Sequence, residues 1–569
     1  MTINMDISRR RFLEAVGAAS LAGTSSLEAQ AQKEAADLLL YNGKIVTVDD
    51  AFSTRNAVAV KDGRVVAVGG NDLVNRFNAA RAIDLHGRTV LPGFNDTHVH
   101  LGGQSRRNID LINTKSIAQL KDQLRDKARQ LGPKEWITGA GWDEYQMTEK
   151  RVPLRADLDE AAPNNPVVLT RAGGHSSVGN SKALELADIN RATPDPERGL
   201  IERDASGEPN GVIRERSDLY RRLVPRDRPE DVRDSLFANV HSQLRLGITS
   251  VIVAGASVDP TLAGSWAEWE ILYQTHGHEL PRAAVQIQWP GDAKAGEAKL
   301  REFGHKTGYG DERLRIGSIG EMSADGGFTG PTAYTLNDYK GMPGFRGRAM
   351  FSPEQLHANI EAGHKLGWQF GIHAIGDAAI VMTVDAYDRV LHDFPRNDHR
   401  HYLCHFSMLP PDRTMQIMAK DKILIEQQPN FTYTLEGRYV ETLESWHLTR
   451  NNALATPIKH GIFMAFGSDN LPIGPMVGLY AAVTRKGMNS SKVYGPEEAV
   501  SMKDAIRMYT RNGAYLTWEE KTKGTLEPGR LADMVVLPED PLSIAPEKLL
   551  NLKVDMTVVG GKVLYEREA

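Results

Sequence analysis

Four apolar runs in this chain stop on a histidine or an aspartate: Leu91-Pro-Gly-Phe-Asn-Asp-Thr-His-Val-His100, Gln369-Phe-Gly-Ile-His373, His401-Tyr-Leu-Cys-His405 and Phe463-Met-Ala-Phe-Gly-Ser-Asp469. A β-strand that ends in a polar side chain delivers that side chain to the strand's rim. Few architectures bring many such rims together. The (β/α)8 barrel does so by construction, because its active-site groups come from the C-terminal ends of several different strands. Alternation adds a detail: if the first run is a strand, His98 and His100 project from one face and Val99 from the other.

At 569 residues, 41% of them hydrophobic, the chain exceeds one typical domain and can bury a large core, which points to a barrel plus a smaller unit. The net charge of −5 shows no basic excess, so composition gives no reason to expect nucleic acid or an anionic membrane surface as a partner. A small-molecule substrate is expected. Oligomeric state stays open, a homo-oligomer included.

Residues 1–31 read as an address rather than as part of the fold. Ser8-Arg-Arg-Arg-Phe-Leu13 resembles the twin-arginine export signal, a weakly apolar stretch runs from Ala15 to Ala22, and Ala29-Gln-Ala31 offers a small-x-small cleavage site. The resemblance implies the twin-arginine export machinery as a partner and a periplasmic or secreted location. The stretch is too short and too poor in strong hydrophobes to remain as a stable membrane anchor. Cys404 is the single cysteine, so no intrachain disulfide can form, which agrees with a chain folded before export.

Residues 36–90 and 522–569 share one texture, short apolar alternations separated by turns: Asp37–Tyr41, Asn42-Gly43, Lys44–Val48, Ala57–Val60, Asp62-Gly63 and Arg64–Val68 at one end, Leu531–Leu537, Met556–Val559, Gly560-Gly561 and Lys562–Tyr565 at the other. Asn-Gly and Asp-Gly between apolar runs signal hairpins. Two strand-rich ends around a long α/β middle predict a small β-sandwich built from both termini, with the barrel over 91–521. The middle holds ten strand candidates where a barrel needs eight. The stretch 104–234, with its turn-rich Pro194-Asp-Pro196 and Gly207-Glu-Pro-Asn-Gly211, is the expected inserted lobe, with Trp136–Thr138 and Pro166–Thr170 inside it. Helices are expected at Ser116–Gln130, Pro353–Leu366 and Asp377–Leu391.

Imidazoles at His98, His100, His373 and His405 suit zinc or a similar borderline divalent ion, and carboxylates complete such sites. Glu321, in Ile319-Gly-Glu-Met-Ser-Ala-Asp-Gly326, follows an apolar run at the right place in the barrel order, and an inward carboxylate there can bridge a pair of ions. Asp469 is the candidate acid and base, able to take a proton from an attacking water and hand it to a leaving nitrogen. His175, in Arg171-Ala-Gly-Gly-His-Ser-Ser177, follows another apolar strand and can hydrogen-bond substrate from the lobe. Cys404 precedes His405 on a strand, so alternation turns it away from His405 and into packing. His357, His364, His399, His401, His447 and His460 lie in helical or turn-like contexts and are set aside.

Together with Gly247-Ile-Thr-Ser250, Ala324-Asp-Gly326, Ile372-His-Ala-Ile-Gly-Asp377 and Gly524-Thr-Leu-Glu-Pro-Gly-Arg-Leu-Ala-Asp533, these residues resemble the amidohydrolase superfamily, within it amidohydrolase family 3, from about Ala36 to Lys562. The resemblance implies a distorted (β/α)8 barrel, one or two divalent metals, and hydrolysis of a non-peptide amide or related C–N bond. It implies His98 and His100 as first-strand ligands, His373 and His405 as fifth- and sixth-strand ligands, and Asp469 as the eighth-strand acid and base. Two positions depart from the family pattern. Glu321 stands where relatives usually carry a lysine that becomes carboxylated, and Cys404-His405 where they often read Glu-His. The expected substrate is a small N-acyl, N-formyl or cyclic amide. The alternatives are an aminohydrolase that removes an exocyclic amine, and a catalytically weakened periplasmic binding protein.

Overall fold

A computed structural model describes residues 33–102, 105–225 and 229–568, so the stretch 1–31, expected to direct export, lies outside the described residues. Eight parallel strands form the central sheet in chain order: β1 (Phe94–Val99), β2 (Ile248–Ala256), β3 (Arg282–Ile287), β4 (Leu314–Ser323), β5 (Phe370–Ala374), β6 (Tyr402–His405), β7 (Leu424–Gln427) and β8 (Met464–Phe466). Beyond β8 the chain returns to β1, where Asp469 N donates to His98 O at 2.7 Å, and this nearly closes the barrel. The distortion sits in the first half. Register shifts interrupt the pairings from β1 through β5, whereas β5 to β8 pair regularly. Such shifts bend a strand and re-aim its side chains.

The strands are buried because helices cover them. Pro353–Lys365 starts on a reciprocal capping box between Ser352 and Gln355 with proline in the first turn, and it turns Leu356 and Ile360 inward at helical spacing. Asp377–Asp393 runs two residues further than its sequence pattern suggests and buries Ile380, Val384 and Tyr387. Ile117–Leu131, in the lobe, is capped by the Ser116 side chain.

The surplus strand candidates belong to a separate six-stranded sheet, which includes Ile137–Trp142 and Val167–Arg171. Its two faces carry their own apolar clusters, one around Leu120, Leu158 and Val212, the other around Leu184, Ile213 and Tyr220. Helix Pro229–Ser242 packs Leu236 and Val240 into the barrel core, so the lobe stops short of Asp234.

The two ends of the chain meet in two facing sheets. One holds Glu34–Tyr41, Ala57–Lys61, Arg64–Gly69 and Phe77–Asp84. The other joins Lys44–Val46, Thr54–Arg55 and Thr89–Pro92 to Met534–Leu537, Met556–Val559 and Lys562–Glu566. Leu38, Val58 and Val60 from one end share a core with Met534, Val536 and Met556 from the other. Asp62-Gly63 and Gly560-Gly561 close hairpins as expected. Asn42-Gly43 does not: it carries the chain from one sheet to the other. Asn42 adopts φ 57°, its side chain donates to Asp84, and a Cβ at Gly43 would lie 2.8 Å from Arg88 O. Tertiary packing has taken over a local hairpin signal. Among the described residues, no helix is long and apolar enough to cross a membrane.

Candidate active site

All the strand-end residues except His175 converge at one end of the barrel. Asp96 Oδ1 accepts from His98 N at 3.3 Å and from Ser468 N at 2.9 Å, which ties β1 to the turn after β8. Gly467 permits this approach, since a Cβ there would lie 2.6 Å from His98 N. Alternation on β1 brings His98 Nε2 and His100 Nε2 to 3.3 Å. Asp469, at φ 58°, puts Oδ1 3.5 Å from His100 Nε2.

Glu321 occupies the middle, and its two oxygens divide the work. Oε1 stands 2.7 Å from His373 Nδ1 and 2.6 Å from His405 Nε2; Oε2 stands 3.7 Å from His98 Nε2 and 3.5 Å from His100 Nε2. One carboxylate thus faces two pairs of imidazoles. His98, His100 and Glu321 form one group whose donor atoms lie within 4.8 Å of one another, and Glu321, His373 and His405 form a second. Borderline nitrogen donors with a shared anionic oxygen are what one or two divalent ions such as zinc require. The residues therefore fit the metal that their chemistry implies.

Electrostatics agree. Burial alone would raise the Glu321 carboxyl, but His98 and His373 beside it, with the hydrogen bonds from His373 and His405, hold it well below the usual range. Burial opposes charge on His98 and His405 too, yet Glu321 holds both above the ordinary imidazole value, with Glu426 assisting at His98. His100 is lowered, by burial.

His175 lies in the lobe, across a cavity of about 960 Å3 whose walls also include His100, Glu321, His373, His405, Asp469, Thr138 and Arg171. Its ring centroid is 5.6 Å from that of His373, and Glu215 Oε2 faces its Nδ1 at 3.1 Å. The lobe is bound to the barrel side by Arg438, whose guanidinium donates to Glu144 at 2.6 Å and to Asp143 at 3.1 Å.

A family model described as the amidohydrolase family matches residues 81–565. The chain belongs to the amidohydrolase family. It is therefore a metal-dependent hydrolase of carbon–nitrogen bonds other than peptide bonds. The amidohydrolase YtcJ of Bacillus subtilis is 28% identical over 537 residues, covering 93% of this chain and 99% of that protein. The N-substituted formamide deformylase of Arthrobacter pascens is 28% identical over 557 residues, covering 93% and 98%. A solved structure of a metal-dependent hydrolase from Pyrococcus horikoshii shares the fold, with a TM-score of 0.69 at 24% identity over 90% of this chain and 99% of that one.

Sequence reasoning passes over several groups that this amidohydrolase uses to hold its site. Asp325, wholly buried, accepts from Ile375 N at 3.0 Å and from Gly376 N and Tyr334 N at 2.8 Å, pinning the turn after His373. Gln428 Oε1 stands 2.7 Å from His405 Nδ1. Glu426 follows the apolar Ile423-Leu-Ile425 just as His373 follows its own run, so the strand-end pattern was there to find it. Cys404 is buried, as its alternation implies, with burial pushing its thiol up to about 12. Its surroundings are not purely apolar, because it shares a cluster with His98 and Glu426. His401, set aside, sits at the opposite end of β6, where its Nδ1 accepts from Phe370 N at 3.0 Å.

Proposed function

We propose that this amidohydrolase cleaves a small N-acyl, N-formyl or cyclic amide, with His98, His100, Glu321, His373 and His405 holding one or two divalent ions. The observation that carries the reading is the division of the Glu321 oxygens between two imidazole pairs. Zinc suits the nitrogen-rich donor set. When bound, such an ion supplies Lewis acidity, which makes water acidic enough to attack at neutral pH and draws electron density from a carbonyl oxygen. Asp469 takes one proton from the attacking water as the new C–O bond forms, and returns it to the nitrogen as the C–N bond breaks. His175, its Nδ1 held by Glu215, hydrogen-bonds the substrate from the lobe side. Similarity to the N-substituted formamide deformylase supports formamides as the first class to try.

The address belongs to the same proposal. Export by the twin-arginine route to the periplasm rests on Ser8-Arg-Arg-Arg-Phe-Leu13 and Ala29-Gln-Ala31 alone. The deciding experiment is metal analysis of the purified protein combined with turnover assays on N-substituted formamides, N-acyl amino acids and hydantoins. Release of the free amine from a formamide or of the amino acid from its N-acyl form, or opening of a hydantoin ring to the N-carbamoyl amino acid, with bound metal, supports the reading. Bound metal with turnover of none of the three classes overturns it.

A further inference from the structure

Glu426 is a carboxylate with no exposure at all, inside the barrel. A buried charge of this kind is costly unless it is paired or hydrogen-bonded. Its surroundings are specific. Oε1 accepts from Gln428 Nε2 at 2.6 Å and from Thr97 Oγ1 at 3.3 Å. Oε2 faces His98 Nδ1 at 3.2 Å, short of hydrogen-bond alignment; among the described residues neither atom meets another partner at hydrogen-bond geometry, and the Cys404 thiol lies beside the pair. Room is kept for the carboxylate by Gly467, where a Cβ would stand 2.6 Å from Glu426 Oε1.

The other end of Gln428 completes the pattern. Its Nε2 serves Glu426, and its Oε1 is left to accept from His405 Nδ1 at 2.7 Å. A line therefore runs from His98 through Glu426 and Gln428 to His405. An imidazole whose Nδ1 carries the proton has its lone pair on Nε2. For both rings Nε2 is the nitrogen turned toward Glu321. An outer partner that takes the Nδ1 proton fixes ring orientation and raises the basicity of the ligating nitrogen.

We propose that Glu426 is a positioning residue of the metal site: from β7 it orients His98 directly and His405 through Gln428, so that both present Nε2 to the centre. The inference rests on the metal-holding role proposed for those two histidines. It assigns Glu426 no contact with substrate or metal.

The test is metal binding by the purified full chain, followed by competition with a chromophoric chelator for zinc and by the visible absorption of the cobalt-loaded protein. The wild type, Glu426→Gln and Gln428→Leu are compared, with circular dichroism of each metal-free protein as a check on folding. Glu426→Gln is expected to bind the same number of ions with affinity weakened about 10–100-fold and a shifted cobalt spectrum. Gln428→Leu breaks the arm to His405 and takes one of the two donors from Glu426 Oε1 but leaves Glu426 facing His98, is expected to weaken binding less, and carries the test by itself if Glu426→Gln does not fold. Wild-type affinity and an unshifted spectrum in a folded variant overturn the proposal. Loss of one whole ion in Glu426→Gln also overturns it, since that makes Glu426 a ligand beside His98 and Cys404. A wild type that binds no metal defeats the metal reading itself, a result distinct from either of these.

Discussion

Asp469 donates its backbone N–H to the carbonyl of His98 at 2.7 Å, so the last strand's acid and the first strand's imidazole are tied through main chain rather than side chain. The consequence is that Asp469 can lose its carboxylate without loosening His98. Asp469→Asn is expected to lower kcat by about 10²–10⁴-fold, the range of a lost acid–base group. Its metal content should match the wild type. A variant that loses its metal along with its activity would show that Asp469 is chiefly a ligand.

The metal-free site carries opposed shifts with a readable pH signature. Glu321, held below its ordinary 4.5, contributes stability that is present above that value and lost as pH falls through its folded-state value. His98, held above its ordinary 6.5, contributes stability that is present below that value and lost as pH rises through its own folded-state value. The chelated protein should therefore melt highest between those two ordinary values and lower on either side. Zinc binding runs against the imidazole protons, so zinc affinity should climb between about pH 6 and 8. Thermal melts with chelator, and competition titrations across that range, check both trends.

Arg438 joins the lobe to the barrel side through Glu144 and Asp143, and its side chain is almost wholly buried. Breaking a buried pair by removing one partner costs about 3–5 kcal/mol. Arg438→Met is expected to loosen the lobe over the cavity, raising KM several-fold while kcat changes little. Hydrogen exchange over 137–171 should rise in parallel. An unchanged KM with unchanged exchange would mean that the lobe docks by other contacts.

Legibility followed the range of the interactions. The period-two spacing of His98 and His100, and the runs ending in His373, His405 and Asp469, are local patterns, and they suffice to indicate a barrel rim. Which eight of ten strand candidates form the barrel is a matter of pairing partners distant in sequence, and Ile137–Trp142 and Val167–Arg171 were separable only by composition of the stretch around them. Asn42-Gly43 has the chemistry of a hairpin but joins two sheets, because the contact with Leu85 and Arg88 outweighs the local preference. Asp96 and Asp325 clamp backbone N–H groups from elements far along the chain, and no spacing announces such partners.

Cys404 offers a simple check on the packing around the site. With its thiol buried and pushed up to about 12, it should resist a disulfide reagent at neutral pH in the folded protein and react fully after unfolding. Prompt labelling of the native enzyme would place it in an open environment instead.

The division of Glu321 between two imidazole pairs is tested most directly by anomalous scattering at the zinc edge from crystals of the zinc-loaded protein. The predicted result is zinc ligated by Glu321 at roughly 2.0–2.2 Å, with His373 and His405 on one carboxylate oxygen, His98 and His100 on the other, or both. Zinc bound away from Glu321, or held by the histidines with the Glu321 carboxylate turned aside, would contradict it.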